Sequence, residues 1–317
     1  MSKILIAIPI YNEQASIKKC IESLISIKNN SEKDNYEILC VDDGSTDSSL
    51  DSVRNYKNDI LFCKSRVNQG LSEVFNSIMH YGRDNDFDYL IIFDADNQYP
   101  SQDITNLVEK VKKLGSDIHI GSRNFNEISH FSLLKKLLQK IGSRFISFVV
   151  KNKIIDATSG FRVYSKKSME KLFSTNSFTY TLETLLQSNT HKLKVTYSII
   201  SNSYETRDSR LFKNNWEYLK KSFFVIIKSL LLYKNSFLNK LISLLVLPGL
   251  YLISRFLIPY ITYGTNPGNM QSLILGTSYL IFLFLLLVLF YIFSSNYQTK
   301  SLLMKMNYMP KHKKTDL

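Results

Sequence analysis

The sequence is poor in the residues that build disulfide frameworks and soft-metal sites. Its three cysteines, Cys20, Cys40 and Cys63, form no CxxC and are odd in number. That argues against a disulfide scaffold or zinc ribbon and for a reduced, cytosolic setting. Five histidines, His80, His119, His130, His191 and His312, fall at no ligand spacing, so no histidine-based zinc site is expected. No P-loop, GxSxG or GxGxxG is present, which leaves ATPase, α/β-hydrolase and dinucleotide chemistry without support. Internal repeats are not visible, and the run Lys3–Pro9 is too short for the apolar part of a secretory signal. What the chain does have is 317 residues, 44% hydrophobic and 21% charged, enough for a sizeable core and incompatible with global disorder.

The net charge of +13 is unevenly spread. Residues 1–201 carry 26 Lys and Arg against 23 Asp and Glu, whereas residues 202–317 carry 14 against 4. The basic excess therefore accompanies the long apolar runs, a pattern that fits an anionic membrane face and not a nucleic-acid groove. Leu241–Ile261 and the uncharged Ser272–Ser294 are each long enough to cross a bilayer. The first is interrupted by Pro248, Gly249 and Arg255, and a buried soluble helix is its alternative reading. Lysines precede the first run and follow the second, while the connecting loop Thr262–Gln271 has no charge. The positive-inside bias then predicts a hairpin spanning the cell membrane, with the N-terminal domain and both termini cytoplasmic. Between domain and hairpin, residues 213–236 are expected to form an amphipathic interfacial helix with Trp216, Leu219, Phe223, Ile227 and Leu230 on one stripe, a core helix being the alternative.

The N-terminal part alternates apolar runs with helical patterns. Strands are expected at Ile4–Ile8, Tyr36–Val41, Ile60–Lys64, Tyr89–Phe93 and Ile118–Gly121. Helices are expected near Glu13–Ser26, Ser48–Tyr56, Leu71–Tyr81 and Ser101–Leu114. Continuously apolar strands alternating with helices indicate an α/β domain whose mostly parallel sheet is covered on both faces. Its boundary is placed at residue 212, with the hairpin over 237–296 and a basic tail over 297–317.

Three strand ends carry ligand-type residues. Asp94-Ala95-Asp96-Asn97-Gln98 follows the fourth strand, and in an extended segment residues i and i+2 point to one side. Two carboxylates and an amide oxygen suit Mg²⁺ or Mn²⁺ shared with a diphosphate; the same aspartates could simply turn the chain or cap the next helix. Asp42-Asp43-Gly44-Ser45-Thr46-Asp47 ends the second strand. Capping needs only one of these residues, so Asp42 or Asp43 is left to accept bonds from a ribose or base. Pro9-Ile10-Tyr11-Asn12-Glu13 ends the first strand with an aromatic and two polar side chains. Open α/β sheets bind ligands beyond such carboxyl ends.

In order along the chain, these three motifs, Asn68-Gln69-Gly70, Gly121-Ser122-Arg123 and Asp156-Ala157-Thr158-Ser159-Gly160-Phe161-Arg162 resemble a family 2 glycosyltransferase of GT-A fold. More narrowly they resemble the polyprenyl-phosphate glycosyltransferases, over about residues 3–215. The resemblance implies inverting transfer of one sugar from a UDP- or GDP-linked donor to a polyprenyl phosphate. It implies that Pro9, Tyr11, Glu13 and Asp43, with Asn12 and Asp42 beside them, serve the nucleoside end. Asp94, Asp96 and Gln98 would hold the metal on the diphosphate, and Arg123 would face a phosphate. Asp156, Ser159, Gly160 and Arg162 would line the sugar and acceptor pocket, with Asp96, Arg123 and Asp156 the catalytic set. Arg207 and Arg210 are similar to the family's basic loop over the donor phosphates, though Arg207-Asp208-Ser209-Arg210 lacks the expected glycine. The acceptor-phosphate basic pair is matched only loosely, by Lys135 and Lys136 with Gln139, and Lys140 and Arg144 are candidate substitutes. Relatives with two spans often associate, so a homo-oligomer is a possible state.

A phosphate acceptor is already anionic near pH 7 and needs no strong base. A sugar-hydroxyl or other lipid acceptor in cell-surface glycan synthesis would need one, and Glu183 or Asp156 could serve. The sole tryptophan, Trp216, follows Asn214-Asn215 and does not form the Q-x-x-R-W element of processive synthases. A non-catalytic membrane scaffold is the remaining alternative, disfavoured by the complete acidic set.

Overall fold

A computed structural model describes residues 1–124, 133–175, 179–201, 235–264, 269–306 and 308–314. Residues 213–234 of the interfacial helix expected over 213–236, and Arg207 and Arg210, lie outside the described residues.

Every residue of the first strand, β1 (Lys3–Ile10), from Ile4 to Ile8 is fully buried, so both of its faces meet apolar side chains. The elements follow as α1 (Ile17–Asn29), β2 (Asn35–Asp42), α2 (Ser49–Arg54), β3 (Leu61–Lys64), α3 (Leu71–Asp84), β4 (Tyr89–Ile92), α4 (Asp103–Leu114) and β5 (Ile118–Ser122). All nine elements expected from the sequence up to this point are present, with ends displaced by no more than four residues. On one face Ile4, Ile6, Ile8 and Ile10 of β1 join a core with Ile17, Cys20, Ile21 and Leu24, the i, i+3, i+4, i+7 stripe of α1. Leu107, Val108 and Val111 of α4 close the same core.

Beyond β5 come α5 (Leu133–Val150), β6 (Arg162–Ser165), α6 (Lys166–Lys171), α7 (Thr181–Thr190) and β7 (Val195–Ile199). A last short strand, β8 (Lys313–Lys314), completes one sheet of order β7-β5-β6-β4-β1-β2-β3-β8. Six strands run the same way; β6 and β8 run against them. β1 lies between β2 and β4, so the strand order reverses beside it, which opens a crevice at the carboxyl edge.

The chain divides into two units, Met1–Ile226 with Met309–Leu317, and Ile227–Tyr308. The second unit contains α8 (Asn235–Tyr263) and α9 (Met270–Met306), within which Ile242–Tyr263 and Met270–Asn296 are long and apolar enough to cross a membrane. α8 continues through Pro248 and Pro259. Inside this unit a side chain on Gly249 would fall 2.5 Å from Leu280, and one on Gly276 2.9 Å from Ile253. The two helices therefore pack through small residues. α9 runs on to Met306, and Met309 and the residues after it group with the first unit.

Candidate active site

The topology brings all six motifs to one edge. Motifs 9–13, 42–47, 68–70, 94–98 and 121–123 end or follow the parallel strands β1 to β5. β6 is antiparallel to β4 and β5, so the segment leading into it, residues 156–161, starts at that same edge.

At the β1 end, Tyr11 is exposed while Asn12 turns with φ +57°. Asn12 is a latch: its Oδ1 accepts from the Thr46 amide at 2.8 Å, and its own amide donates to Ser45 Oγ at 3.0 Å. Pro9 is half-buried and pairs in register with Val41. The half-buried Glu13 accepts from Ser16 Oγ at 3.0 Å.

The expectation that Asp42 or Asp43 is left without a chain partner is not met. Asp42 is buried and accepts from the amides of Gly44 and Ser45 at about 3.2 Å, closing its own turn. Burial raises its carboxyl above the usual range against the pull of those bonds. Asp43 is also buried: Oδ1 accepts from the Gln69 amide and Oδ2 from the Gly70 amide, both at 2.8 Å. Gly44 is required here, since at φ +74° its Cβ would stand 2.6 Å from the Val67 carbonyl carbon.

Asp94 and Asp96 follow β4 and are half-buried. The Asp94 carboxyl is pushed up to about 7, first by burial and then by Asp96, with Glu13 adding and Arg123 opposing. Asp96 Oδ1 accepts from the Gln98 amide at 3.0 Å, and Asn97, at φ +58°, donates from Nδ2 to the Ser16 carbonyl. Among the described residues no three His, Cys, Asp or Glu side chains gather closely enough to cage an ion. The donor set, two carboxylates close enough for one to raise the other, fits a hard cation that takes its remaining ligands from a diphosphate and water.

Opposite them, Arg123 grips Asp156: Nε donates to Oδ2 at 2.7 Å and Nη2 to Oδ1 at 3.2 Å, with Nη2 also reaching Thr158 Oγ1 at 3.0 Å. Asp156 is fully buried; burial alone would raise its carboxyl, but Arg123 and Thr158 hold it below the ordinary range. A carboxylate so held is a poor proton acceptor, which removes Asp156 as a general base.

The expectation that Ser159 and Arg162 line a pocket is also corrected. Ser159 is fully buried and donates to the Gly121 carbonyl at 2.7 Å. Arg162 is equally buried, donating to the carbonyls of Ser159, Thr181 and Ala157 and to Thr184 Oγ1. Both brace the loop from behind. Gly160 does face the acids: a Cβ there would lie 3.2 Å from Asp94 Oδ2.

Glu183 accepts from Ser174 Oγ, the Thr175 amide and Thr175 Oγ1 at 2.7–3.0 Å and is buried. It organises the 174–175 turn and is engaged as a structural acceptor. On α5, Lys136 is half-buried, Lys140 and Arg144 are exposed, and Gln139 accepts from Thr158 Oγ1 at 3.2 Å. The Lys135 side chain lies outside the description.

One site residue escaped the sequence entirely. His312 reaches Asp43 Oδ1 from 269 positions away, at 3.0 Å. No local spacing signals a contact made by chain reversal.

The fold is similar to glucosyl-3-phosphoglycerate synthase from Mycobacterium tuberculosis, solved with Mn²⁺, UDP and glucosyl-3-phosphoglycerate (TM-score 0.54, 17% identity, 73% of this chain and 79% of that one). It is likewise similar to S. aureus TarS 1–349 with UDP-GlcNAc (TM-score 0.51, 14% identity, 73% and 67%). These likenesses establish a GT-A-like α/β fold. In sequence the chain is 30% identical over 175 residues to a dolichol-phosphate mannosyltransferase of Pyrococcus furiosus, covering 53% of this chain and 47% of that protein. It is 33% identical over 123 residues to a poly(ribitol-phosphate) beta-glucosyltransferase of Bacillus spizizenii, covering 38% and 19%. A third relative is an undecaprenyl-phosphate 4-deoxy-4-formamido-L-arabinose transferase of Photorhabdus laumondii, 29% identical over 177 residues, covering 54% and 52%. The matches thus span about half, or less, of the length of these curated relatives. Residues 5–173, more than half of the chain, match glycosyl transferase family 2, and the chain belongs to that family.

Proposed function

We propose that this chain is an inverting glycosyltransferase that moves one sugar from a nucleoside-diphosphate sugar to a polyprenyl phosphate at the cytoplasmic face of the cell membrane. The observation that carries the reading is the acidic edge after β4, where half-buried Asp94 and Asp96 lie close enough for Asp96 to raise the Asp94 carboxyl, with Arg123 opposing. Mg²⁺ or Mn²⁺ held by Asp94 and Asp96, with Gln98 beside them, would supply charge neutralisation of the departing diphosphate. Tyr11 offers a face for the base, and Asp43 and Glu13 lie at the nucleoside end. Arg123, fixed by Asp156, presents positive charge beside Asp94, where negative charge grows as the leaving group departs.

The bond made is from an acceptor phosphate oxygen to the anomeric carbon; the bond broken joins that carbon to the diphosphate. No strong base is called for, in keeping with a site whose two candidate bases, Asp156 and Glu183, are both engaged. The membrane assignment is supported by the two apolar helices and by relatives named for dolichol and undecaprenyl phosphate. An even number of spans returns the chain to the side it left, in keeping with β8 pairing in the sheet of the first unit.

The test is a donor screen. Membranes carrying the chain, incubated with labelled UDP- and GDP-sugars and polyprenyl phosphate, are expected to form a mild-acid-labile lipid-linked sugar. EDTA and Asp96→Asn should each abolish it. Label entering only hydroxyl-linked product would transfer the reading to a hydroxyl acceptor, and full activity of Asp96→Asn would remove the metal assignment.

A further inference from the structure

β8 runs antiparallel to β3, with Lys64 opposite Lys313 and Cys63 opposite Lys314. An antiparallel strand begins where its neighbour ends, so the residue just before β8 arrives at the carboxyl edge of the sheet. That residue is His312. Its ring is buried: Nε2 lies 3.0 Å from Asp43 Oδ1 and Nδ1 lies 2.9 Å from Ser77 Oγ on α3. Because a carboxylate only accepts, Nε2 is the donor to Asp43.

Three donors therefore fix one carboxylate. The Gln69 and Gly70 amides, at the start of α3, hold one oxygen each, and His312 takes a second position on Oδ1. A carboxylate has about four acceptor positions, so the one left open is on Oδ2. The amides come with the domain's own β3–α3 loop; the imidazole comes from a segment that returns only after α9.

We infer that His312 is a positioning residue for the donor: it locks the Asp43 carboxylate so that its remaining acceptor position faces the nucleoside, which makes the C-terminal strand a working part of the donor site. This rests on the reading that Asp43 serves the nucleoside. A side chain held by two amides alone can pivot about them, and a third donor, the His312 ring, removes that freedom before the nucleotide-sugar binds.

The experiment measures UDP and GDP binding, and donor KM and kcat, for the full chain in detergent. His312→Leu is expected to weaken nucleotide binding and raise donor KM about tenfold, as for loss of one hydrogen bond to a charged group, with kcat within about twofold. His312→Gln, whose amide donates near the Nε2 position, should recover most of the loss, which a merely structural role would not require. Asp43→Asn separates the two readings. Should it leave nucleotide binding unchanged, the assignment of Asp43 fails and this inference with it. Should it weaken binding while His312→Leu leaves binding unchanged or tighter, positioning by the tail is overturned and the nucleoside reading stands. If His312→Leu does not fold, as judged by its melting transition, Ser77→Ala carries the test by loosening the ring; wild-type affinity in that variant overturns the inference.

Discussion

At the scale of single residues, the site divides into groups that face the crevice and groups that hold them there. Glu183 belongs to the second kind, since its oxygens satisfy Ser174 and both donors of Thr175. Glu183→Gln puts an amide where hydroxyl and amide protons already point, so it should cost about 1–3 kcal/mol of stability. The expected result is a lower melting temperature with kcat largely retained well below it. Selective loss of kcat at an unchanged melting temperature would restore Glu183 as a base. Gly160 is the converse case. A Cβ there would crowd Asp94 Oδ2 and the Tyr180 hydroxyl at 3.2 and 3.3 Å, so Gly160→Ala should displace the Asp94 carboxylate with little effect on folding. Turnover is expected to fall at least tenfold and to need more Mg²⁺ or Mn²⁺, as a titration of rate against metal would reveal.

At the scale of elements, the legible part of the fold was the part with short-range causes. The β1 run is apolar throughout because both faces are covered, and α1 and α4 carry their stripes at helical spacing. Five of the six motifs could be read as one site because parallel strands end at a common edge. What escaped was decided by pairing between distant segments. β6 reverses direction and β8 is two residues long, so neither has a periodicity to read. Likewise, the burial of Arg162 and Ser159 depends on α7 and β5 folding over them, and no spacing within Ser159–Arg162 reveals it.

His119 shows the same dependence between β5 and β7. Its ring is buried with Nδ1 2.6 Å from Thr196 Oγ1 and Nε2 2.8 Å from Ser198 Oγ, and burial, aided by Lys110, lowers it to about 4. The unfolded chain takes up this proton near pH 6.5 and the folded chain only near 4, so the histidine favours unfolding as pH falls between those values. The loss should reach roughly 3 kcal/mol at pH 4 and be nearly absent above pH 7. Melting curves of wild type and His119→Gln should converge towards acid if this is right; parallel pH dependence of the two would refute it.

At the scale of the whole molecule, the cysteines that exclude a disulfide framework also make the topology measurable. Cys20, Cys40 and Cys63 are free and buried, and burial raises all three thiols, Cys63 to about 11, so few thiolates are present at neutral pH. The native background towards a maleimide should therefore be low. Gly264, after α8, is exposed in the loop without charge, and Met309, after α9, is 84% exposed at the return into the first unit. If the lysine-rich flanks stay cytoplasmic, an impermeant maleimide added to intact cells should label Gly264→Cys and spare Met309→Cys, which should react only after permeabilisation. Labelling of both positions in intact cells would break the hairpin, because one of the two helices would then fail to cross. Labelling of Met309→Cys alone would invert it, placing the acidic edge on the side away from cytoplasmic nucleotide-sugars and removing the donor class from the proposal.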